Sequence, residues 1–206
     1  MRRLLFQGDS VTDCGRRDNP ENPLGGGYPK FVAETLVKQQ TPAELINRGI
    51  SGNRVRDLRA RWAADVLELR PDLVSILIGI NDTWRRYDQN DETTDAAFAA
   101  DYRAILDPLA EQGVGLLLLA PFVLDVSNAV SRMREDLAGK QAAVRRLAAE
   151  YGTLFLDTDA LFQDACREQM LPPAAFAADG VHPTEAGHRL LAKAWLRTAE
   201  GFLVRG

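Results

Sequence analysis

The chain has 206 residues, of which 46% are hydrophobic and 26% charged, and its formal net charge is −4. This length and composition are typical of a globular protein, and we expect residues 1–206 to form a single domain that needs no metal or disulfide for stability. The negative charge disfavours a nucleic-acid partner, which would require a basic face. No apolar run approaches the roughly 20 residues of a membrane span, so no membrane partner is expected either.

The two cysteines, Cys14 and Cys166, lie far apart and match no metal-binding spacing. They are most simply free thiols of a reducing compartment. The apolar run at residues 4–6 is too short for the core of a signal peptide. We therefore expect a cytoplasmic protein without cofactor or metal, unless an upstream segment has been removed.

Short apolar runs alternate with helix-period segments along the whole chain. The runs of strand length lie at residues 4–6, 44–46, 73–78, 115–120 and 153–156. Several are continuously apolar, as parallel strands buried on both faces are. The sequence thus predicts five strands, each followed by a helical segment.

Between the runs, apolar residues recur at spacings of three and four, which predicts helices with one face in the core. In chain order, the stripes are Tyr28, Phe31, Val32, Thr35 and Leu36; Val55, Leu58, Trp62, Val66 and Leu69; Phe98, Tyr102, Ile105, Leu106 and Leu109; Leu137, Val144, Leu147, Ala148 and Tyr151, with a gap at Gln141; and Leu190, Leu191, Ala194, Trp195 and Thr198. Alternating strands and helices predict an α/β fold with a parallel sheet covered on both faces. Ligands bind such sheets at the carboxyl ends of the strands.

Four loops at that predicted edge concentrate small, polar and ionisable residues. They are residues 8–13 after the first strand, 47–53 after the second, 79–82 after the third, and 179–184 between the last two helices. Each loop taken alone has an ordinary structural explanation as a helix cap or a turn. Their joint occurrence along one α/β pattern favours a functional site.

The loops contain the residue types of nucleophilic catalysis. A serine such as Ser10 needs a base to take its proton, and the chain has only two histidines. His182 follows Asp179 by three residues, a spacing that lets the carboxylate turn back onto the imidazole. His188 lies within the last helical stripe, where we expect a helix-surface or local packing residue.

Acyl transfer also needs hydrogen-bond donors for the developing oxyanion. The candidates are the backbone N–H groups of Ser10 and Gly52 and the side-chain amide of Asn81. Gly52 has no side chain to obstruct its N–H. The sequence therefore predicts a catalytic set of Ser10, Asp179 and His182 with these three donors.

The four loops resemble the conserved blocks of the GDSL, or SGNH, hydrolase family. Ser10 matches the serine of the first block, Gly52 the glycine of the second, Asn81 the asparagine of Gly-x-Asn-Asp, and Asp179 with His182 the final Asp-x-x-His. Val11 stands where the family name implies leucine. The resemblance implies a flavodoxin-like three-layer α/β/α sandwich with a five-stranded parallel sheet, and the same nucleophile, base and oxyanion donors.

Longer strings around residues 8–16, 53–58 and 79–85 are similar to bacterial intracellular acetylxylan esterases, which act on xylo-oligosaccharides. This narrower resemblance implies hydrolysis of acetyl esters on short sugars, so the expected partner is a small acetylated sugar. Trp84 and Arg85 would then form a wall for a sugar ring, or else an amphipathic surface cover.

Three other functions stay open at this point. The same triad serves lysophospholipases and thioesterases with longer acyl chains. Asp9 is a candidate nucleophile of a phosphatase, although Val11 occupies the position where a second acid is expected. A non-catalytic binding module would lack one of the catalytic groups. The oligomeric state, including a homo-oligomer, is undetermined by the sequence.

Overall fold

The computed structural model describes residues 1–204 and contains a five-stranded sheet in which every pair of neighbours is parallel. The strands are β1 (Arg2–Gly8), β2 (Ala43–Asn47), β3 (Leu73–Leu77), β4 (Gly115–Leu119) and β5 (Leu154–Leu156). Their order across the sheet is β2-β1-β3-β4-β5. The five predicted strands are confirmed, with ends that differ by one or more residues.

Helical segments connect the strands. They are α1 (Ser10–Asp13), α2 (Tyr28–Lys38), α3 (Val55–Ala60), α4 (Trp62–Asp65), α5 (Ile80–Asp88), α6 (Asp95–Glu111), α7 (Asn128–Ser131), α8 (Met133–Tyr151), α9 (Thr158–Gln169) and α10 (Glu185–Val204), with 3₁₀ turns at Leu67–Leu69 and Pro173–Ala175.

The helices cover both faces of the sheet. On one face, α2, α9 and α10 pack Tyr28, Phe162 and Trp195 against β1 and β3. On the other, α3, α6 and α8 contribute a second core that includes Phe98 and Val144. The expected three-layer sandwich and its flavodoxin-like strand order are therefore confirmed.

One predicted stripe does not form a continuous helix. The segment from Val55 to Leu69 is divided into α3, α4 and a 3₁₀ turn. Arg61 ends α3 with a φ of −115°, and its guanidinium donates to the Arg48 carbonyl and to Gln7 Oε1. These long-range bonds to β1 and to the residue after β2 outweigh the local preference for a continuous helix.

The strand order reverses between β1 and β3, which lie side by side although β2 separates them in sequence. At their carboxyl ends the backbones come so close that a Cβ on Gly8 would lie 2.3 Å from the Leu77 carbonyl oxygen. Glycine is thus required at this position. The loops that carry Ser10 and Asn81 consequently start next to each other, at the point where such sheets bind ligands.

A buried hydrogen bond ties α10 to the centre of the sheet. Trp195 Nε1 donates to Ser75 Oγ over 2.8 Å, and both residues are almost fully buried. We expect Ser75→Ala to lower the free energy of unfolding by about 1–3 kcal/mol, because the indole N–H is left unsatisfied. Denaturant titration measures the change.

Trp195→Phe and the double variant serve as controls for that prediction. In the Trp195→Phe background, Ser75→Ala removes no hydrogen bond from an indole, so the two losses should not add. Additive losses would contradict the importance of this hydrogen bond.

Candidate active site

Ser10 is the first residue of α1, and Asp9 separates it from the end of β1. The carboxylate of Asp9 accepts a hydrogen bond from the Val11 N–H over 3.0 Å and so caps the short helix. Asp9 is 1% exposed, whereas Ser10 is partly accessible. The cap therefore fixes the backbone while the hydroxyl of Ser10 stays at the surface of the site.

The loop before α10 brings a carboxylate onto an imidazole. Asp179 Oδ2 lies 2.6 Å from His182 Nδ1, and Oδ1 accepts the backbone N–H groups of Val181 at 2.9 Å and His182 at 2.7 Å. Burial alone would raise the pKa of Asp179, but the hydrogen bonds from His182 and Val181 hold it below its usual value. Asp179 is thus an ionised acceptor.

The second nitrogen of the same imidazole reaches the serine. Since a carboxylate only accepts, Nδ1 of His182 carries the ring proton, and Nε2 is free to accept. Ser10 Oγ lies 2.8 Å from Nε2, although the two residues are 172 positions apart in sequence. The structure therefore joins Asp179, His182 and Ser10 in one series of hydrogen bonds.

Two of the candidate oxyanion donors lie in the segments that follow the second and third strands. Asn81, the second residue of α5, is 3% exposed and its Nδ2 donates to the Asn53 carbonyl over 3.1 Å. Gly52 lies in the exposed loop after β2 with a φ of +83°, a conformation that side chains disfavour. A Cβ at Gly52 would meet no atom within 4 Å, so backbone conformation, not crowding within the protein, explains the glycine.

Sequence reasoning gave no role to two residues that hold these loops together. Asp13 Oδ2 accepts both the N–H of Ser51 at 3.0 Å and its hydroxyl at 2.9 Å. Asn47 Nδ2 donates to the carbonyls of Thr12, at 2.6 Å, and Leu24. Both residues belong to the polar loops that the sequence singled out, but only the fold reveals their partners.

Trp84 and Arg85, the expected sugar wall, take different positions. The Trp84 ring centroid lies 6.2 Å from that of His182, so Trp84 does border the site. The Arg85 guanidinium instead donates to Asn81 Oδ1 over 3.1 Å and pairs with Asp88 on its other side. Arg85 is therefore engaged with α5 itself.

His188 is not a surface residue of its helix. It is 5% exposed, its Nδ1 accepts the N–H of Tyr28 over 3.2 Å, and its Nε2 lies 3.5 Å from Cys14 Sγ. Burial, with the nearby His182, lowers the pKa of His188 to about 4. The sequence allowed two interpretations of His188. The expected position on the helix surface is wrong, and the expected role in local packing is confirmed.

Two further carboxyl groups are buried beneath the site. Burial raises the pKa of Asp9 to about 7, against the opposing effects of the Val11 N–H and His182. Burial likewise raises the pKa of Asp82 to about 7, although the Val55 N–H donates to it. The cap role and deep burial of Asp9 do not suit the nucleophile of a phosphatase.

A serine, a histidine and an aspartate hydrogen-bonded in series at the carboxyl edge of a doubly wound parallel sheet define a class of protein. This class is the serine hydrolases that act on acyl compounds.

Comparisons with known proteins specify the class further. The model of the GDSL-like lipase/acylhydrolase family matches residues 6–190. An acetylxylan esterase from Geobacillus stearothermophilus is 42% identical in an alignment that covers 95% of this chain and 92% of that protein. The chain belongs to the GDSL-like lipase/acylhydrolase family, as the sequence blocks predict, and it is a carboxylic ester hydrolase.

Solved structures of relatives share the whole fold. A variant of an acetyl xylan esterase from Geobacillus stearothermophilus superposes with a TM-score of 0.86 at 40% identity, covering 96% of this chain and 94% of that one. A GDSL-like lipase from Parabacteroides merdae superposes with a TM-score of 0.90 at 34% identity, covering 97% and 95%. Three further structures of the Geobacillus enzyme are of catalytic variants in which a serine, an aspartate or a histidine is replaced by alanine.

The raised pKa of Asp82 predicts a pH-dependent stability. As the pH rises from about 4 to about 7, the unfolded state releases this proton while the folded state retains it, so the free energy of unfolding falls. We expect Asp82→Asn to lose less stability over that range. Its melting temperature should exceed that of the wild type by about 5–10 °C at pH 7.5 and approach it near pH 4.

Thermal unfolding at a series of pH values checks this expectation. Asp18→Asn, at an exposed position, is the matched control for the loss of one negative charge. If the melting temperatures of the wild type and Asp82→Asn change in parallel with pH, ionisation of Asp82 does not destabilise the folded protein.

Proposed function

We propose that this protein is a serine esterase that removes acetyl groups from xylo-oligosaccharides or related short carbohydrates. One observation carries the proposal: Asp179, His182 and Ser10 form an unbroken series of hydrogen bonds of 2.6 and 2.8 Å. The 42% identity to an acetylxylan esterase supports the choice of an acetylated sugar as substrate.

In the first step, His182 Nε2 takes the proton of Ser10 as Oγ attacks the ester carbonyl carbon. A C–O bond forms, and the carbonyl electron pair moves onto the oxygen. Asp179 stabilises the imidazolium and keeps its ring oriented. The short Ser10–His182 distance makes this proton transfer direct.

The oxyanion is stabilised by the backbone N–H groups of Ser10 and Gly52 and by the side-chain amide of Asn81. When the carbonyl re-forms, the sugar hydroxyl leaves and takes the proton from His182. Water then attacks the acetyl group on Ser10 while His182 accepts its proton. Acetate leaves, and the serine hydroxyl is restored.

The surroundings of His182 suit a sugar as the alcohol part of the ester. Because His182 gives its proton to the leaving oxygen, the alcohol lies beside this imidazole when the bond breaks. Trp84 borders His182 with a ring separation of 6.2 Å. An aromatic face packs well against the apolar edges of a sugar ring, so Trp84 is assigned to alcohol binding.

A lysophospholipase or thioesterase acting on longer acyl chains is the alternative. The family includes lipases, and the Parabacteroides merdae relative is described as a GDSL-like lipase. The two functions use the same triad and differ in the space available to the acyl chain.

The cellular location and domain organisation stay predictions. No helix among residues 1–204 has the length and apolar character to cross a bilayer. Cys14 and Cys166 are both free thiols. These thiols support the expected reducing, cytoplasmic location, and we also infer one domain over residues 1–206.

We expect Ser10→Ala to lower kcat about 10⁴-fold or more, because no other group forms the acyl-enzyme. The hydroxyl contributes a single side-chain hydrogen bond, so the free energy of unfolding should change by about 1 kcal/mol. Steady-state hydrolysis of an acetate ester and thermal unfolding give the two values. Substantial turnover by a folded Ser10→Ala protein would rule out the proposed mechanism.

A panel of esters separates the proposed function from its alternative. We expect kcat/KM to be highest for acetylated xylo-oligosaccharides and to fall at least about 10-fold between acetyl and octanoyl esters of the same aryl alcohol, since the similarity to an acetylxylan esterase favours a short acyl group. Initial rates at matched concentrations provide the comparison. A preference for octanoyl esters or a lysophospholipid would favour the alternative.

A further inference from the structure

The amide of Asn81 is held at both ends. Its Oδ1 accepts a hydrogen bond from Arg85 Nη2 over 3.1 Å, and its Nδ2 donates to the Asn53 carbonyl over 3.1 Å. A guanidinium only donates and a carbonyl only accepts, so the amide has one allowed orientation. A flip would place two donors against each other and two acceptors against each other.

This arrangement leaves one N–H of the amide for another partner. Nδ2 carries two hydrogens, and the Asn53 carbonyl takes one of them. Asn81 is 3% exposed, so its side chain has little freedom to find an alternative position. The second N–H is the group that the proposed mechanism uses for the oxyanion.

The guanidinium of Arg85 is itself fixed. Arg85 follows Asn81 by four residues on α5, which places the two side chains on the same face of the helix. Asp88 pairs with the opposite side of the guanidinium, and the Trp84 ring centroid lies 6.0 Å from its central carbon. The Arg85 side chain is 20% exposed, so it lies largely packed against its helix.

The positive charge of Arg85 beside Oδ1 also strengthens the Asn81 amide as a donor. Hydrogen bonds in chains polarise one another, and those to a charged group are stronger than those between neutral groups. Drawing electron density toward Oδ1 leaves the Nδ2 hydrogens more positive. Arg85 therefore acts on both the orientation and the strength of the Asn81 donor.

We propose that Arg85 is a positioning residue of the oxyanion hole, acting through Asn81 and not through contact with the substrate. This inference rests on the proposed function, because it assigns Asn81 to the oxyanion. It replaces the sequence-based expectation that Arg85 forms a wall for the sugar.

The test compares Arg85→Met, Arg85→Lys and the matched control Arg86→Met. Arg86 is the next residue along the helix, but it pairs with Asp136 and Glu92 at the surface, away from Asn81. We expect Arg85→Met to lower kcat about 10–100-fold. This fall is no larger than the one that removal of an oxyanion donor typically causes. KM should stay within about twofold of the wild-type value, and the loss should be the same for a simple aryl acetate and an acetylated xylo-oligosaccharide.

Arg85→Lys keeps a positive donor and should recover part of the loss in kcat, since a single ammonium can still reach one acceptor but lacks the planar fork. Arg86→Met should keep the wild-type kcat. If Arg85→Lys and Arg85→Met both keep the wild-type kcat and lower only the melting temperature, Arg85 merely stabilises the helix. A rise in KM restricted to the sugar ester would instead make Arg85 a substrate contact. Either result overturns the proposal.

A double-variant cycle with Asn81→Ala identifies the residue through which Arg85 acts. In the Asn81→Ala background, Arg85→Met should change kcat less than about threefold, because the amide that it orients is gone. An undiminished loss in that background would overturn the proposal. If Asn81→Ala alone keeps the wild-type kcat, the oxyanion assignment itself fails; if it lowers kcat but Arg85→Met does not, only the role of Arg85 fails.

Discussion

The site depends on one carboxylate, that of Asp179, which accepts three N–H groups at once. Two come from the backbone of its own loop and one from the His182 ring. Together they give the loop its turn, keep Asp179 ionised and assign the ring proton to Nδ1. The remaining nitrogen is thereby the acceptor that faces Ser10. Without this carboxylate, the imidazole could adopt either tautomer and rotate away from the serine.

The loops that follow β1 and β2 are held together by buried polar side chains. Asp13 binds the backbone and side chain of Ser51, and Asn47 binds the carbonyls of Thr12 and Leu24. A buried polar group is costly unless it is paired, and these groups are paired across segments that are distant in sequence. The bonds therefore hold the loops that follow β1 and β2 in one relative position, including the loop that carries Ser10.

The two histidines show how environment assigns different chemistry to one residue type. His182 is accessible, and its Nδ1 donates to a carboxylate, so its Nε2 accepts. His188 is buried and its Nδ1 accepts the Tyr28 N–H, so its Nε2 carries the proton toward Cys14. Its pKa of about 4 keeps it neutral at physiological pH. The tautomers are opposite, and only the first can take a proton from a serine hydroxyl.

The sequence by itself determined the α/β class, the five strands and the loops that carry Ser10, Gly52, Asn81, Asp179 and His182. It did so because buried parallel strands and amphipathic helices have distinct apolar periods, and because few residue types suit a nucleophile and its base. Only the tertiary structure decided which polar groups meet. The breaks in the segment after Val55, the burial of His188 and the bond from Arg85 to Asn81 all depend on partners or packing set by the fold. A periodic pattern reports how a residue relates to its own helix or strand, whereas a hydrogen bond to a distant segment depends on how the whole chain packs.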